Sequence, residues 1–500
     1  MKRNTLRLAA LCGILSIFFS TTPAQNSQPP AQTNPAPQVS AVTAGAEKPP
    51  KKEAESAATE AEALRRRVEE IENQNRVLMQ MVTDLRARLD QSGPPQQKKD
   101  GPSPAAASLP ASTPAPASSQ PAQTDSNPTV RWSDLVGEGN RIKFYGFLRL
   151  DLDIDSQHPN NTQTPFFITS PDPIAGGADN GDFSMHPRLT RFGIDYSGPR
   201  VGRLGDAKLS GRLETDFENG GTESRQIIRI RHAFLRLDWA DFSVLAGQTW
   251  DVVSPLLPTV NNDTNMWNAG NVGDRRPQLR AAYEPKAGDG KFSLIGGIGL
   301  TGAIDSLDLD NNGFRDGEEA ALPNFQARVG YSHPRGKDRS ASFGVSGFYG
   351  FMETARPVFG RTEFRSQLLN LDFTLPILSR LAVRGEGWWG RNMSDTRGGA
   401  GQGLNITNGR EIRGRGGWAE ATINASRYLS FNPGFTTDDP VDEDLPDRGR
   451  TRNRAFYLAN RITPGGNFLI GADYLRWRTD FKGLRRGIDN RVNIFFQYGF

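Results

Sequence analysis

From Arg141 onward, apolar and polar residues alternate one by one in a series of short runs. The cleanest covers residues 141–155. Ile142, Phe144, Gly146, Leu148, Leu150, Leu152 and Ile154 form one row, and Lys143, Tyr145, Phe147, Arg149, Asp151, Asp153 and Asp155 form the other. A period of two puts the rows on opposite faces of a β-strand. Further segments at 189–196, 207–217, 227–237, 242–249, 278–283, 292–300, 324–331, 341–351, 366–374, 381–389, 417–423, 428–435, 453–461, 467–477 and 491–500 predict sixteen strands in all. In the last, Val492, Ile494, Phe496, Tyr498 and Phe500 share a face, and the chain stops there. A soluble sandwich buries its apolar rows against a second sheet. Here the other row carries charges such as Arg149 and Asp151, as the wall of a water-filled lumen does. A closing strand in lipid leaves no sheet edge unpaired. The phase slips near residues 232–235, which predicts a β-bulge.

Connection lengths alternate as well. Residues 155–187, 250–277, 301–323, 391–416 and 436–452 follow odd-numbered strands, whereas 197–206, 238–241 and 462–466 are tighter. Long extracellular loops alternating with short periplasmic turns give this asymmetry. The expectation is an all-β fold: a sixteen-stranded antiparallel transmembrane β-barrel over residues 141–500, preceded by a coiled-coil helix.

Upstream the pattern changes. Lys2, Arg3 and Arg7 precede an apolar run over 8–20, and Thr22-Pro23-Ala24 offers a cleavage site, so residues 1–24 read as a signal peptide. Residues 25–52 read as a disordered spacer and 92–140 as a Pro/Ala-rich linker. Between them, 53–91 carries four heptads, with Val68, Asn75, Val82 and Leu89 at a, and Leu64, Ile71, Leu78 and Leu85 at d. Glu60 with Arg65 and Arg67 with Glu72 fit interchain pairs of a parallel bundle, and Met79 and Met81 widen the apolar stripe beyond a two-stranded seam. The predicted oligomer is a homotrimer with its coiled coil in the periplasm. A single helix packing on its own barrel is the alternative.

Net charge is only +4, and no nucleic-acid motif is present, so a general polyanion binder is not expected. The charge is unusual in kind: Lys and Arg total 60 residues, of which 48 are Arg. Arginine suits bidentate recognition of carboxylate and phosphate. The one cysteine, Cys12, lies in the signal segment, which leaves a mature chain without disulfides or thiolate metal sites.

Several motifs sharpen the picture. Phe144-Tyr145-Gly146-Phe147-Leu148-Arg149-Leu150-Asp151 opens the barrel, and Arg188-Leu189-Thr190-Arg191-Phe192-Gly193 follows the first loop. Arg229-Ile230-Arg231-His232-Ala233-Phe234, Leu245-Ala246-Gly247-Gln248-Thr249-Trp250 and Arg275-Arg276-Pro277-Gln278-Leu279-Arg280 come next. With the N-terminal heptads, this resembles the DcaP-like family of trimeric outer-membrane porins, most strongly over residues 141–283. The resemblance implies a channel for small anionic solutes, notably dicarboxylates. Tyr498 and Phe500 are similar to the C-terminal aromatic signature that the barrel-assembly machinery reads. Outer-membrane lipids are the implied surroundings, and the cell wall is a candidate partner for the coiled coil.

The residues themselves point to a compatible site. Arg149, Arg191, Arg212, Arg229, Arg231 and Arg280 lie on early strands, mostly at polar-face positions. The loop 250–277 carries Asp251, Asn261, Asn262, Asp263 and Asn265 and is expected to fold into the lumen. An arginine wall facing a partly acidic loop would select solutes by charge. The bland alternative is that these arginines pair with Asp151, Asp195, Glu214 and Asp216 and only hold the wall together.

One motif lies outside this scheme. Asp308, Asp310, Asn312 and Gly313, with Glu319 at the twelfth position, follow the spacing of a calcium-binding loop, in which Phe314 offers a carbonyl and Asp316 a further oxygen. Arg315 at the usually apolar eighth position and the expected lack of flanking helices count against Ca²⁺. No other cofactor is implied, no catalytic constellation is visible, and His158, His186, His232 and His333 show no metal spacing. Passive diffusion of small, mainly anionic solutes is the expected function. The alternative is a tether acting through its coiled coil.

Overall fold

Alternation this regular cannot bury both rows, so the sheet must curl until one row faces inward. In the computed structural model, residues 140–177, 179–218, 226–260, 263–336 and 339–500 are described. The signal segment, the spacer, the heptad positions from Leu64 to Leu89, the linker, Asn261 and Asn262 lie outside them.

The strand segments run in chain order, beginning with β1 (Arg141–Asp155), β2 (Asp182–His186), β3 (Arg191–Val201), β4 (Ala207–Glu218), β5 (Ile227–Asp238) and β6 (Phe242–Trp250). Next come β7 (Arg275–Tyr283), β8 (Lys286–Ala287), β9 (Gly290–Gly299), β10 (Asn324–Pro334), β11 (Ser340–Val358) and β12 (Arg361–Leu378). The last are β13 (Leu381–Arg391), β14 (Arg413–Asn424), β15 (Leu429–Pro440), β16 (Arg450–Gly465), β17 (Phe468–Phe481) and β18 (Leu484–Gly499). All belong to one sheet, and every pairing between them is antiparallel. Two segments are continuations. β2 pairs with the Asp151–Asp155 half of β1 and β3 with its Arg141–Phe147 half, so they are one strand interrupted at residues 187–190. β8 extends β7 along β9 in the same way. The eighteen segments therefore make the expected sixteen staves among the described residues.

The first and last strands close the barrel with their apolar rows in register. Leu148 faces Tyr498, Leu150 faces Phe496, Leu152 faces Ile494 and Ile154 faces Val492 across β1 and β18. Phe500 continues the ladder, exchanging backbone hydrogen bonds with Gly146 at 3.1 and 3.3 Å. Large apolar side chains remain exposed along the outward rows, among them Leu148, Ile230, Leu235, Phe343, Phe456 and Phe496. That belt is the lipid-facing surface of a transmembrane barrel.

The segment ends differ from expectation in two hairpins. β11 and β12 are 19 and 18 residues long and meet in a two-residue turn, where a loop over 352–365 was expected. β17 and β18 likewise meet at Lys482 and Gly483. Charged residues in these tall hairpins hide the alternation, but the ladder satisfies their backbone groups regardless of side chain. The bulge falls at Arg231, one residue before the expected position: Glu214 faces His232, and the next partners are Thr215 and Ile230. The extra residue keeps Ile230 and Leu235 outward while Arg229, Arg231 and His232 all turn inward.

Candidate functional site

The lumen is occupied by chain that the strands themselves position. After β6, loop 251–274 crosses to strands halfway round the barrel. Its two ends are clasped first. Asp251 N donates to Asp274 O at 2.8 Å, and Asp274 N donates to Asp251 Oδ2 at 3.0 Å. Arg276 Nε bonds Asp251 at 2.6 Å, and its Nη1 bonds Asp395 at 2.7 Å. Val252 N donates to Gln326 Oε1 at 2.7 Å.

The loop then docks on β13, β14 and β16. Glu386 accepts Leu256 N at 2.8 Å and the Ser254 hydroxyl. Glu420 accepts Thr259 N at 2.8 Å and the Thr259 hydroxyl at 2.6 Å. Arg461 donates to Thr259 O, and Trp388 Nε1 donates to Gly270 O at 2.7 Å. Gly270 has φ 127°, and a Cβ there would lie 2.5 Å from Gly417 O and 2.6 Å from Thr437 N, so only glycine lets the loop approach this closely.

Apolar contacts complete the docking. Val253 and Val272 pack with Phe348, Leu368, Trp388 and Met393. Val260, Met266 and Ala269 pack with Ile168 of the first loop against Ala455, Tyr457, Ala459, Leu475 and Trp477. The inward face of β16 and β17 is therefore sealed beneath two loops, which meet where Thr264 Oγ1 donates to Pro165 O at 2.6 Å.

The arc from β1 to β7 carries the arginines. Arg231 Nε bonds Glu214 at 2.8 Å and its Nη1 bonds Asp216 at 2.6 Å. Arg229 bonds Asp216 at 2.8 Å, while Arg191 lies 3.5 Å from Glu214 and 3.7 Å from Asp216. Glu214 and Asp216 are thus shared among these guanidiniums, and the side chains of Arg191 and Arg229 remain 23% and 22% exposed. Arg149 bonds Asp151 at 2.9 Å and lies 3.7 Å from the centroid of Phe495. Arg212 pairs with Asp195 at 2.7 Å and joins the group through Tyr145, whose hydroxyl donates to Glu214 at 2.9 Å. Arg280, opposite Leu245 in the register, stands apart from this cluster.

Five of the six arginines meet the acids foreseen as the bland alternative, Arg280 being the exception, yet Arg191 and Arg229 stay partly exposed. The loop does not supply the opposing acid that was expected. Asp251 is spent on Arg276, and Asp263 is bonded to buried Arg188 at 2.9 Å. Asp274 lies between Arg275 at 3.5 Å and Arg397 at 2.9 Å, one carboxylate against two guanidiniums. These are the acidic residues of the loop among those described, and none is left uncompensated. Arg188 and Arg275 stand in the quoted motifs, where their spacing gives no hint of lumen contacts. Arg397, in a Gly-rich loop, carries no local signal.

The calcium-spaced residues gather elsewhere, in loop 300–323 at the long-loop rim. One oxygen each from Asp308, Asp310 and Asp316 lies within 4.8 Å of the others. Burial, with Asp308, Asp310 and Glu319 close by, pushes the Asp316 carboxyl up to about 7. Phe314 is exposed, and Asp316–Glu319 form a helical turn where no helix was expected. Tyr498 and Phe500 lie on the outward row at the closing seam.

The fold has solved counterparts. The outer membrane channel DcaP of Acinetobacter baumannii is similar with a TM-score of 0.59 at 18% identity, over 72% of this chain and 98% of that chain. An anion-selective porin from Comamonas acidovorans is more distant, with a TM-score of 0.46 at 11% identity over 72% of this chain and all of that chain. At such identities the likeness is one of fold. No family model and no curated relative matches the chain.

Proposed function

We propose that the protein is an outer-membrane porin through which small hydrophilic solutes, anions foremost, diffuse passively. The observation that carries this reading is the asymmetric lumen. One arc is sealed under docked loops, and the other presents Arg191, Arg229 and Arg231 beside Glu214 and Asp216, with Arg191 and Arg229 partly exposed. Solutes pass between the loop and this arc. A site with several guanidiniums and partly exposed donors concentrates anions, and dicarboxylates fit it through paired Arg–carboxylate hydrogen bonds. The selecting field is a positive patch, not a dipole between an arginine wall and an acidic loop. The fold shared with an outer membrane channel supports the same reading.

A barrel that only anchors a tether needs neither a loop folded through its interior nor a charged arc kept open to water, and this favours the channel. The heptads at 64–89 support assembly as a homotrimer. The long-loop rim then faces outward and the short turns face the periplasm. Planar-bilayer recording under a potassium chloride gradient tests the proposal. The expected reversal potential has the sign of chloride preference; cation preference overturns the anion reading, and absence of conductance overturns the porin.

A further inference from the structure

Loop 300–323 takes no part in the lumen contacts that select solutes, yet it contains a built cluster of oxygens. Asp308 turns the chain by accepting Asn312 N at 3.1 Å and Gly313 N at 2.9 Å. Gly313 has φ 90°, in the region that glycine tolerates best. Asp316 accepts Leu309 N at 3.1 Å, which draws the second half of the loop onto the first. Acidic turns of this kind can form without an ion.

What points to a ligand is burial without a partner. The Asp310 side chain is only 3% exposed. Its Oδ2 accepts Arg356 N at 3.0 Å, whereas its Oδ1 is buried with no hydrogen-bond partner. Glu319 repeats this: Oε1 accepts Asn312 Nδ2 at 2.7 Å, and Oε2 is buried with no partner. Leaving a charged oxygen desolvated and unpaired is costly. The two residues that do so occupy the third and twelfth positions of the calcium-loop spacing, the twelfth being the bidentate one. Among the described residues, the four carboxylates Asp308, Asp310, Asp316 and Glu319 meet a single guanidinium, with Arg356 Nε 3.8 Å from Asp310. Arg315, which weakens the motif on paper, pairs with Glu318 at 2.8 Å, outside the ligand set.

We propose that Asp308, Asp310, Asp316 and Glu319, joined by the Asn312 side-chain oxygen and the Phe314 carbonyl, bind one Ca²⁺. Glu319 exchanges its bond from Asn312 Nδ2 for two-oxygen coordination of the ion. A many-oxygen, carboxylate-rich set of this kind suits Ca²⁺ over Mg²⁺, which demands a tight octahedron and keeps its waters. The same loop starts at Gly302 and Ile304, whose backbone N–H groups each donate to Asp395 at 3.0 Å, and Asp395 in turn holds Arg276. A bound ion therefore braces the loop that packs over the root of loop 251–274. This inference does not depend on which solutes cross the pore.

The test uses the full chain, purified in detergent and stripped with chelator. Calcium uptake is measured by equilibrium dialysis for the wild type and for Asp310→Asn and Glu319→Gln, with heat-modifiable gel mobility reporting barrel folding. The expected result is saturable binding with a midpoint on the order of 0.1–1 mM, as in extracellular calcium modules. Each variant should shift that midpoint upward at least about tenfold, since each removes a charged ligand. Equal uptake by all three folded proteins, or none by the wild type, overturns the site. If neither variant folds, the wild type decides alone: CaCl2 should slow proteolysis within residues 300–323 where equimolar MgCl2 does not, and equal protection by both overturns the proposal.

Discussion

On β4 and β5, Glu214 and Asp216 are bonded by the side chains of Arg229 and Arg231, which come from the barrel wall itself. On β13 and β14, Glu386 and Glu420 are bonded by N–H and hydroxyl groups of a loop that starts from the far side of the barrel. Glu214 and Asp216 alternate along β4, and Glu386 and Glu420 lie on neighbouring strands, but all four are buried, inward-facing carboxylates. In the first arc the wall supplies its own counter-charges, so nothing has to cover it and its guanidiniums stay within reach of solute. In the second, Glu420 also meets the wall's own Arg384 at 3.0 Å, but both carboxylates turn to N–H and hydroxyl groups of the loop, so the wall becomes a dock and disappears from the lumen. Buried polar groups must be satisfied in either case; the partner they find decides whether a surface conducts or holds.

The sharpest way to break this comparison is to discharge the open arc. In Arg191→Gln with Arg229→Gln, the two partly exposed guanidiniums are removed. At an effective dielectric of about 20, one charge roughly 10 Å from a solute is worth about 1.5 kcal/mol, so anion preference should fall between about tenfold and a hundredfold. Reversal potentials read this directly, and the double Lys variant should retain most of the preference. Unchanged selectivity would mean that the arc is only structural.

The next change attacks the sealed arc. Glu386→Ala strands Leu256 N and the Ser254 hydroxyl, at a cost of about 1–3 kcal/mol per buried group. The loop should loosen, with higher, noisier single-channel conductance and faster proteolysis within residues 251–274. Selectivity should change far less than in the arginine variant, and an equal change in both would erase the distinction between the arcs.

The smallest effect lies at the seam, where Arg276 of the open arc meets Asp395 and Ser394 donates to Asp305 at 2.7 Å. Burial, with Asp395 beside it, raises the Asp305 carboxyl to about 6. Its folded value lies above its unfolded one, so the folded loop binds the extra proton between about pH 4 and 6. Stability therefore falls as pH rises through that window, and the penalty is fully present above it. Amide exchange within residues 300–323, corrected for intrinsic rate, should slow from pH 7 to pH 5 by an amount on the order of 1 kcal/mol. Asp305→Asn should shrink the difference, leaving the part contributed by Asp316, which is raised to about 7 in the same loop.

Much of the barrel is legible in the chain because lipid on one side and water on the other impose a period of two. Leu148, Leu150, Tyr498 and Phe496 announce the rows they belong to, since slipping by one residue would turn every apolar group inward. The Arg231 bulge shows as a slip in phase for the same reason. β2 stayed hidden because five residues beyond a long loop are too few for a period to stand out, and the outer halves of β11 and β12 because charged side chains there obscure the alternation. The arginine row is visible on its strands, but the fate of Asp251 and Asp263 is not: their partners Arg276 and Arg188 are separated from them by 25 and 75 positions.

What the sequence determined by itself is therefore the set of rows: strand number, the apolar rows of the first and last strands, the inward arginines, and an oxygen-rich loop with calcium spacing. Each follows from short-range periodicity or fixed local spacing. The tertiary structure alone decided which inward rows remain open. That depends on a loop reaching halfway round the barrel to find Glu386, Glu420 and the gap beside Gly417, and on charges meeting across more than a hundred residues. Such pairings are set by closure of the sheet and the need to satisfy every buried polar group, and no local pattern in the chain encodes them.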